Sequence, residues 1–344
     1  MCIPINSQKL VALQSKAEDR LFTLLNLDPH DANDKEMLEK ERTAIWAKVE
    51  LLMDLHPSAF RRKYKFKIWK EEVHPLGMIC VLKASEDLIN TAYEVFPEAA
   101  NDAFALACSF NVDLEVIKWL YNKAPEAVKW KGPENNLPLH VVIIEETCLR
   151  TVEFIYQAYP AASMCKDENG CTPLHYAFVY SSLAIVKFLV GKSKADAVQM
   201  ENNCKMTPLH IAFLNDKHQV PDFLATKYPD FLKKPRSSDD RLPLHCACAN
   251  ATSIVGVKVL LEHYPDAAKQ KDKRAKIPLA LACKNKNFQG EELIELLVRV
   301  YPEAVDVEDD KGKKAIDLDL ETYRRLVKRM AKGMGKPPAK KQRT

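Results

Sequence analysis

The feature that most constrains this chain is a four-residue phrase that returns on a fixed period. Thr172-Pro173-Leu174-His175 is followed after 35 residues by Thr207-Pro208-Leu209-His210 and after another 35 by Leu242-Pro243-Leu244-His245. It is preceded, 35 residues earlier, by Leu137-Pro138-Leu139-His140. A self-similar period of about 20–50 residues is what a stack of like supersecondary units writes into a sequence. Such an array grows linearly, so 344 residues need not mean two globular domains. Function then has to be sought on a surface rather than in a pocket.

A second landmark recurs between the phrases. Phe96-Pro97-Glu98-Ala99, Ala124-Pro125-Glu126-Ala127, Tyr159-Pro160-Ala161-Ala162, Tyr228-Pro229-Asp230, Tyr264-Pro265-Asp266-Ala267 and Tyr301-Pro302-Glu303-Ala304 each follow an apolar run. Val116, Ile117, Trp119 and Leu120, or Val257, Val259, Leu260 and Leu261, have the three-to-four spacing of a buried helical stripe, and the proline after each run stops that helix. Each unit therefore reads as a turn, a short helix with Pro at its first position, a longer helix and a polar connector. Proline costs nothing at that first position, because its missing N–H would have had no intrahelical partner.

These residues resemble the ankyrin repeat, whose Asp-x-x-Gly-x-Thr-Pro-Leu-His-x-Ala pattern is matched from Asp167 through Gly170, Thr172, Pro173 and His175 to Ala177. The resemblance spans roughly Pro75 to Leu320 and implies an all-α ankyrin-repeat solenoid, built of helix-turn-helix repeats with β-hairpin fingers. It also implies that Pro138, His140, Thr172, Pro173, His175, Thr207, Pro208, His210, Pro243 and His245 are structural, the histidines tying neighbouring turns together. The domain plan is an N-terminal extension over 1–33, an array of about seven to eight repeats over 34–320 with degenerate outer copies, and a capping helix with a basic disordered tail over 321–344. Two departures bear on shape. The finger glycine, kept at Gly170 and Gly312, becomes Asn135, Lys205, Asp240 and Ala275 elsewhere, and Lys and Ala tolerate the left-handed backbone poorly, so the tips at Lys205 and Ala275 are expected to differ. Between Pro75 and Ala103 the spacing falls to 28, too short for a full finger.

At the N-terminus, 1–32 reads as a short amphipathic segment, helical in part. A stronger helix runs from Asp34 to near His56-Pro57, either the second helix of a degenerate first repeat or a cap.

Catalytic and metal chemistry find no support in the residues. There is no Cys-x-x-Cys, His-Glu-x-x-His, Gly-x-Ser-x-Gly or Gly-x-x-x-x-Gly-Lys, so no catalytic, metal or cofactor site is assigned. Histidines one repeat apart lie about 10 Å from one another, too far to share a zinc bound at about 2 Å. In His245-Cys246-Ala247-Cys248 the two cysteines point about 200° apart on a helix. Cys108, Cys248 and Cys283 recur beside alanines and read as small core hydrophobes.

What remains is non-covalent recognition, an adaptor or scaffold binding other proteins. The connector 61–70 interleaves Arg61, Arg62, Lys63, Lys65, Lys67 and Lys70 with Tyr64, Phe66, Ile68 and Trp69. The plain reading packs Tyr64, Phe66 and Ile68 on the first helices; the functional ones offer Arg61, Arg62, Tyr64 and Trp69 to an acidic protein or to nucleic acid. Trp130 and the basic finger residues Lys271 and Arg274 complete the candidate partner-binding set. Nucleic acid is disfavoured, because the intervening fingers are mixed in charge and form no continuous basic groove.

The charge is uneven as well. Residues 324–344 hold nine Lys or Arg and no acid, leaving 42 basic against 47 acidic residues in the rest. Lys340, Lys341 and Arg343 fit a nuclear import signal, which makes an import receptor a candidate partner. With no signal-peptide pattern and no apolar run of membrane-spanning length, the expectation is an intracellular monomer, cytoplasmic or nuclear.

Overall fold

The computed structural model describes residues 7–27, 32–67, 72–193, 195–213, 219–250, 254–284 and 290–315. They fall into two compact units, Met1–Ala162 and Ser163–Thr344. The expected capping helix and tail over 321–344 lie outside the described residues.

In the first unit four helical hairpins follow one another: α1 (Ser7–Leu25) with α2 (Ala32–Leu55), α3 (Pro75–Val81) with α4 (Glu86–Val95), α5 (Ala100–Ser109) with α6 (Leu114–Lys123), and α7 (Pro138–Ile144) with α8 (Leu149–Ala158). The first helices α1, α3, α5 and α7 pack in sequence, and α2 lies against α4. The N-terminal stretch is thus no appendage: Leu21 and Leu25 of α1 and Val49 of α2 are fully buried. Between α4 and α5 the connector is a single 3-10 turn, Pro97–Ala99, running straight into a helix that lacks the opening proline. This is the step whose 28-residue spacing left no room for a finger.

The second unit repeats the plan with α9 (Pro173–Tyr180) and α10 (Leu183–Lys192), α11 (Pro208–Ala212) and α12 (Gln219–Lys227), α13 (Pro243–Asn250) and α14 (Val255–His263), and α15 (Pro278–Ala282) and α16 (Gly290–Val300). Here α9, α11, α13 and α15 pack in order, as do α10, α12 and α14. A proline stops every second helix but α10 and then opens a 3-10 turn, as at Pro125–Lys129 and Pro265–Lys269. The small residue two places on, Ala127 or Ala267, is buried beneath the turn. Of the recurrent cysteines, Cys108 and Cys248 are fully buried and burial pushes both thiols up, whereas Cys283 is half-buried.

The fingers are simpler than the β-hairpins expected. Among the described residues the only β-bridges are Tyr64 with Val73 and Glu308 with Lys314. The other fingers of the second unit are turns closed by a main-chain bond at the base, the N–H of Asp167 to the Cys171 carbonyl (3.0 Å), Asn202 to Met206 (2.9 Å) and Asp272 to Lys276 (2.8 Å) across four residues, and Arg236 to Arg241 (2.8 Å) across five.

The expectation that Lys205 and Ala275 would change the turn fails. Asn135, Gly170, Lys205, Asp240, Ala275 and Gly312 all have φ between 55° and 72°, with Lys205 at 60° and Ala275 at 55°. The surrounding hydrogen bonds hold the tip left-handed whatever its residue. At Gly170 the choice is doubly constrained, since a Cβ there would also meet Asn203 Oδ1 at 2.5 Å. Ala275 accepts the strain of a left-handed L-residue, about 1–2 kcal/mol. Ala275→Gly should therefore stabilise the protein by about 0.5–1 kcal/mol after the glycine's larger unfolded-state entropy is subtracted, read as a shift in the urea midpoint; an unchanged or lower midpoint would contradict the strain.

Candidate functional site

The repeated phrase builds a clamp. Pro at the first helical position leaves the preceding residue extended, as at Thr172 (φ −92°, ψ 165°), and turns its N–H toward the histidine three places on. His175 Nδ1 accepts from the Thr172 N–H (3.0 Å), and the Thr172 hydroxyl lies 2.9 Å from the same nitrogen. Because Nδ1 is an acceptor, the proton sits on Nε2, which donates to the Met206 carbonyl of the following finger (3.1 Å). His245 repeats the arrangement, with Nδ1 accepting from Leu242 N–H (3.2 Å) and Nε2 facing the carbonyls of Gln270 (3.1 Å) and Lys276 (3.2 Å). His140 accepts from Leu137 N–H (3.2 Å).

His210 differs in one respect. Thr207 caps it from both sides, but its Nε2 is buried without a hydrogen-bond partner; the carbonyl of Arg241 acts on the ring without reaching hydrogen-bond geometry. Burial drives this imidazole down to about 4 and also lowers His245. These rings are neutral members of a main-chain network.

That network carries the fingers of the second unit. Asn203 N–H donates to the Asn169 carbonyl (3.0 Å), Lys273 N–H to Asp239 (2.9 Å) and Asp310 N–H to Arg274 (3.2 Å), lacing these pairs of neighbouring fingertips by main-chain bonds, while the finger at 236–241 meets the one before it through the Ser237 hydroxyl donating to Glu201 (2.8 Å). Three of these tips are fixed from within by a short polar side chain. Asp167 Oδ1 accepts from Cys171 N–H (2.7 Å), Asn202 Oδ1 from Met206 N–H (3.0 Å), and Asp272 Oδ1 from the N–H groups of Arg274 and Lys276 (2.9 Å each). Asp272 is buried, and its other oxygen takes Arg241 Nε at 3.1 Å. The outward side chains then vary: Glu168 and Asn169 on one finger, Cys204 and Lys205 on the next, Lys273 and Arg274 on another, all exposed. On α9 beside them Tyr176 and Tyr180 stack at 6.3 Å, and Tyr180 is exposed.

Several sequence candidates are engaged internally. Arg62 pairs with Glu18 (2.7 Å), while Arg61 stays exposed. Lys63 reaches Asp102 (3.1 Å), which also takes His74 at 2.7 Å. Burial alone would raise Asp102, but the bonds from His74 and Lys63 outweigh it and hold the carboxyl below its ordinary value. Tyr64 donates its hydroxyl to the Ala59 carbonyl (2.9 Å), and Phe66 is buried against Phe22 with ring centroids 5.7 Å apart. The connector 61–67 thus lies down on α1, its aromatic face inward. Trp69 falls outside the described residues, as do Lys340, Lys341 and Arg343. Trp130 is half-buried over Gly132, where a Cβ would meet the indole at 2.7 Å. Lys271 Nζ contacts the Glu308 carbonyl at 3.4 Å, and Arg274 is exposed. The Tyr176–Tyr180 pair escaped sequence reasoning because tyrosines at spacing four on an apolar helix look like core.

Among the described residues no cluster of His, Cys, Asp or Glu could hold a metal, and no helix is long and apolar enough to cross a membrane.

Residues 104–201 match the family model of ankyrin repeats, three copies. No curated protein sequence matches the chain. Among solved structures, the ankyrin repeat domain of Bcl-3, described as a unique member of the IkappaB protein family, aligns with a TM-score of 0.52 at 19% identity over 66% of this chain and 97% of that one. A chain of the Bd0816 predatory endopeptidase from Bdellovibrio bacteriovorus in complex with immunity protein Bd3460 aligns at a TM-score of 0.46 and 20% identity, over 59% of this chain and 99% of that one. With the repeated clamp and fingers described above, the chain has the all-α fold of an ankyrin-repeat domain, and its residues 104–201 carry ankyrin repeats.

Proposed function

We propose that this protein is a non-catalytic protein-interaction module, an adaptor or scaffold that binds partner proteins through its fingers and the adjoining first helices. The observation that carries this is the contrast within the fingers at 167–171, 202–206 and 272–276, where a laced and side-chain-locked backbone displays exposed residues that differ from tip to tip. A pre-ordered backbone lowers the entropic cost of binding, and divergent side chains supply specificity. Tyr180, Trp130 and Arg274 are the natural anchors, since interface energy concentrates in Tyr, Trp and Arg. Affinity purification with the full chain should return a defined set of proteins, and Tyr180→Ala with Arg274→Ala should reduce their recovery by about tenfold or more. Unchanged recovery from that variant and from Trp130→Ala would refute the assignment.

The nucleic-acid alternative gains nothing from the connector 61–67, whose Arg62 and Lys63 are paired with acids and whose aromatic rings face inward. The basic tail supports a second partner, an import receptor engaging Lys340, Lys341 and Arg343. Residues 337–344 fused to a cytoplasmic fluorescent reporter should draw it into the nucleus; a reporter that stays cytoplasmic removes this part of the reading.

A further inference from the structure

The joint between the fingers at 202–206 and 236–241 is built differently from its neighbours. Asn203 N–H reaches back to the finger before it, and Lys273 and Asp310 do the same further along, but among the described residues no main-chain bond joins 236–241 to 202–206. The clamp beneath is incomplete as well. His175 and His245 each turn Nε2 onto a carbonyl of the following finger, whereas His210 Nε2 is buried without a partner. What ties the tip of 236–241 to the preceding finger is a side-chain bond, the Ser237 hydroxyl donating to Glu201 Oε2 (2.8 Å).

Ser237 is exposed, and the approach to it is basic. In Lys233-Lys234-Pro235-Arg236-Ser237 the first three residues are exposed, and Lys234 has extended backbone (φ −84°, ψ 117°). Past the serine the chain turns back on itself: Asp239 is held by Arg236 (2.7 Å) and Arg241 (3.2 Å), and its carbonyl accepts from Lys273 N–H (2.9 Å). We propose that Ser237 is a phosphorylation site for a protein kinase that reads basic residues ahead of its serine, and that the modification opens this joint. The γ-phosphoryl group of a nucleoside triphosphate passes to Ser237 Oγ. The new O–P bond replaces the bond from the γ-phosphorus to the bridging oxygen, the nucleoside diphosphate leaves, and the hydroxyl proton goes to the kinase's base. The product has no donor at Oγ and carries a charge of about −1.5 to −2. It therefore faces the Glu201 carboxylate as an anion where it had been a hydrogen-bond donor. Lys205, 4.0 Å from the same Glu201 oxygen, is exposed and offsets only part of that repulsion. Arg236 and Arg241 are already paired with Asp239 and Asp272, so a phosphate that draws either one away loosens the tip from within. Both effects part 236–241 from 202–206.

Incubation of the full chain with magnesium, ATP and the catalytic subunit of a basic-directed serine kinase, followed by mass spectrometry, tests the site. A phosphate should be found on Ser237, and Ser237→Ala should abolish it. In the phosphorylated chain hydrogen exchange should be about tenfold or more faster at the Asp240 and Lys273 amides, while the Asn203 amide keeps its protection. Ser237→Ala, which loses the bond to Glu201 without gaining charge, should raise exchange less. No phosphate on Ser237, or phosphate on Ser238 alone, overturns the proposal. So does a phosphorylated Ser237 with unchanged exchange at Asp240 and Lys273.

Discussion

Gly256→Ala is expected to destabilise the second unit by about 3 kcal/mol or more, lowering its melting midpoint by about 10 °C. Gly256 is the second residue of α14, and a Cβ built there lies 2.2 Å from the Phe213 carbonyl oxygen, 2.8 Å from its carbon and 3.0 Å from its Cα. These are main-chain atoms at the end of α11, so no rotamer change can relieve the contact; either α14 or the Phe213 turn must move. The fully buried Val257 and Leu260 on the same helix make such a shift costly. Helix propensity alone would have favoured alanine by about 1 kcal/mol, so the sign of the effect isolates the steric term. Gly191→Ala supplies the control, because nothing lies within 4 Å of a Cβ at that position of α10, and it should be neutral or stabilising by about 0.5 kcal/mol. Thermal melts of the two variants decide the matter, and equal midpoints would show that α14 does not approach Phe213 so closely.

Gly256 also marks where the sequence stopped being legible. Periodicity located the phrase, the helix-ending prolines and the short 28-residue step, because each is a local backbone requirement written in one residue type. The all-α repeat architecture followed from those local signals. What escaped depends on contacts between repeats. A glycine inside Ile254-Val255-Gly256-Val257 signals nothing until Phe213 is seen above it. The fingertip at Ala275 looked unsuited to a left-handed turn, yet Asp272 and the Asp239 carbonyl fix its neighbours on both sides and leave it no alternative. The basic connector showed its alternation plainly, but only the arrangement of Glu18, Phe22 and Asp102 shows that Arg62, Lys63 and its rings are engaged within the chain. Partner-binding residues were the least legible, since a fingertip is chosen by what it meets outside the chain.

The same dependence on neighbouring repeats makes the histidine clamp sensitive to acid. In the folded protein His210 and His245 accept a main-chain N–H at Nδ1, and protonation there would turn that bond into a clash of donors inside a buried site. Burial accordingly lowers His210 from 6.5 to about 4 and moves His245 in the same direction. In the unfolded chain both rings take up protons near the ordinary histidine value. Above about pH 6.5 neither state is protonated at these rings and their linkage term is absent. As the pH falls from there toward 4, the unfolded state binds more protons than the folded state, and stability declines throughout that window. The full span for His210 corresponds to on the order of 3 kcal/mol at about 1.4 kcal/mol per unit, with His245 adding to it. Native carboxylates held low, such as Asp309, contribute mainly below this range. Urea unfolding from about pH 7.5 to about pH 4.5 should therefore show a falling midpoint in the wild type. His210→Gln with His245→Gln should start less stable and decline much less steeply over the same interval, because glutamine has no proton to take up. A double variant that keeps the wild-type slope would place the acid sensitivity elsewhere and leave the repeated histidines without a share in it.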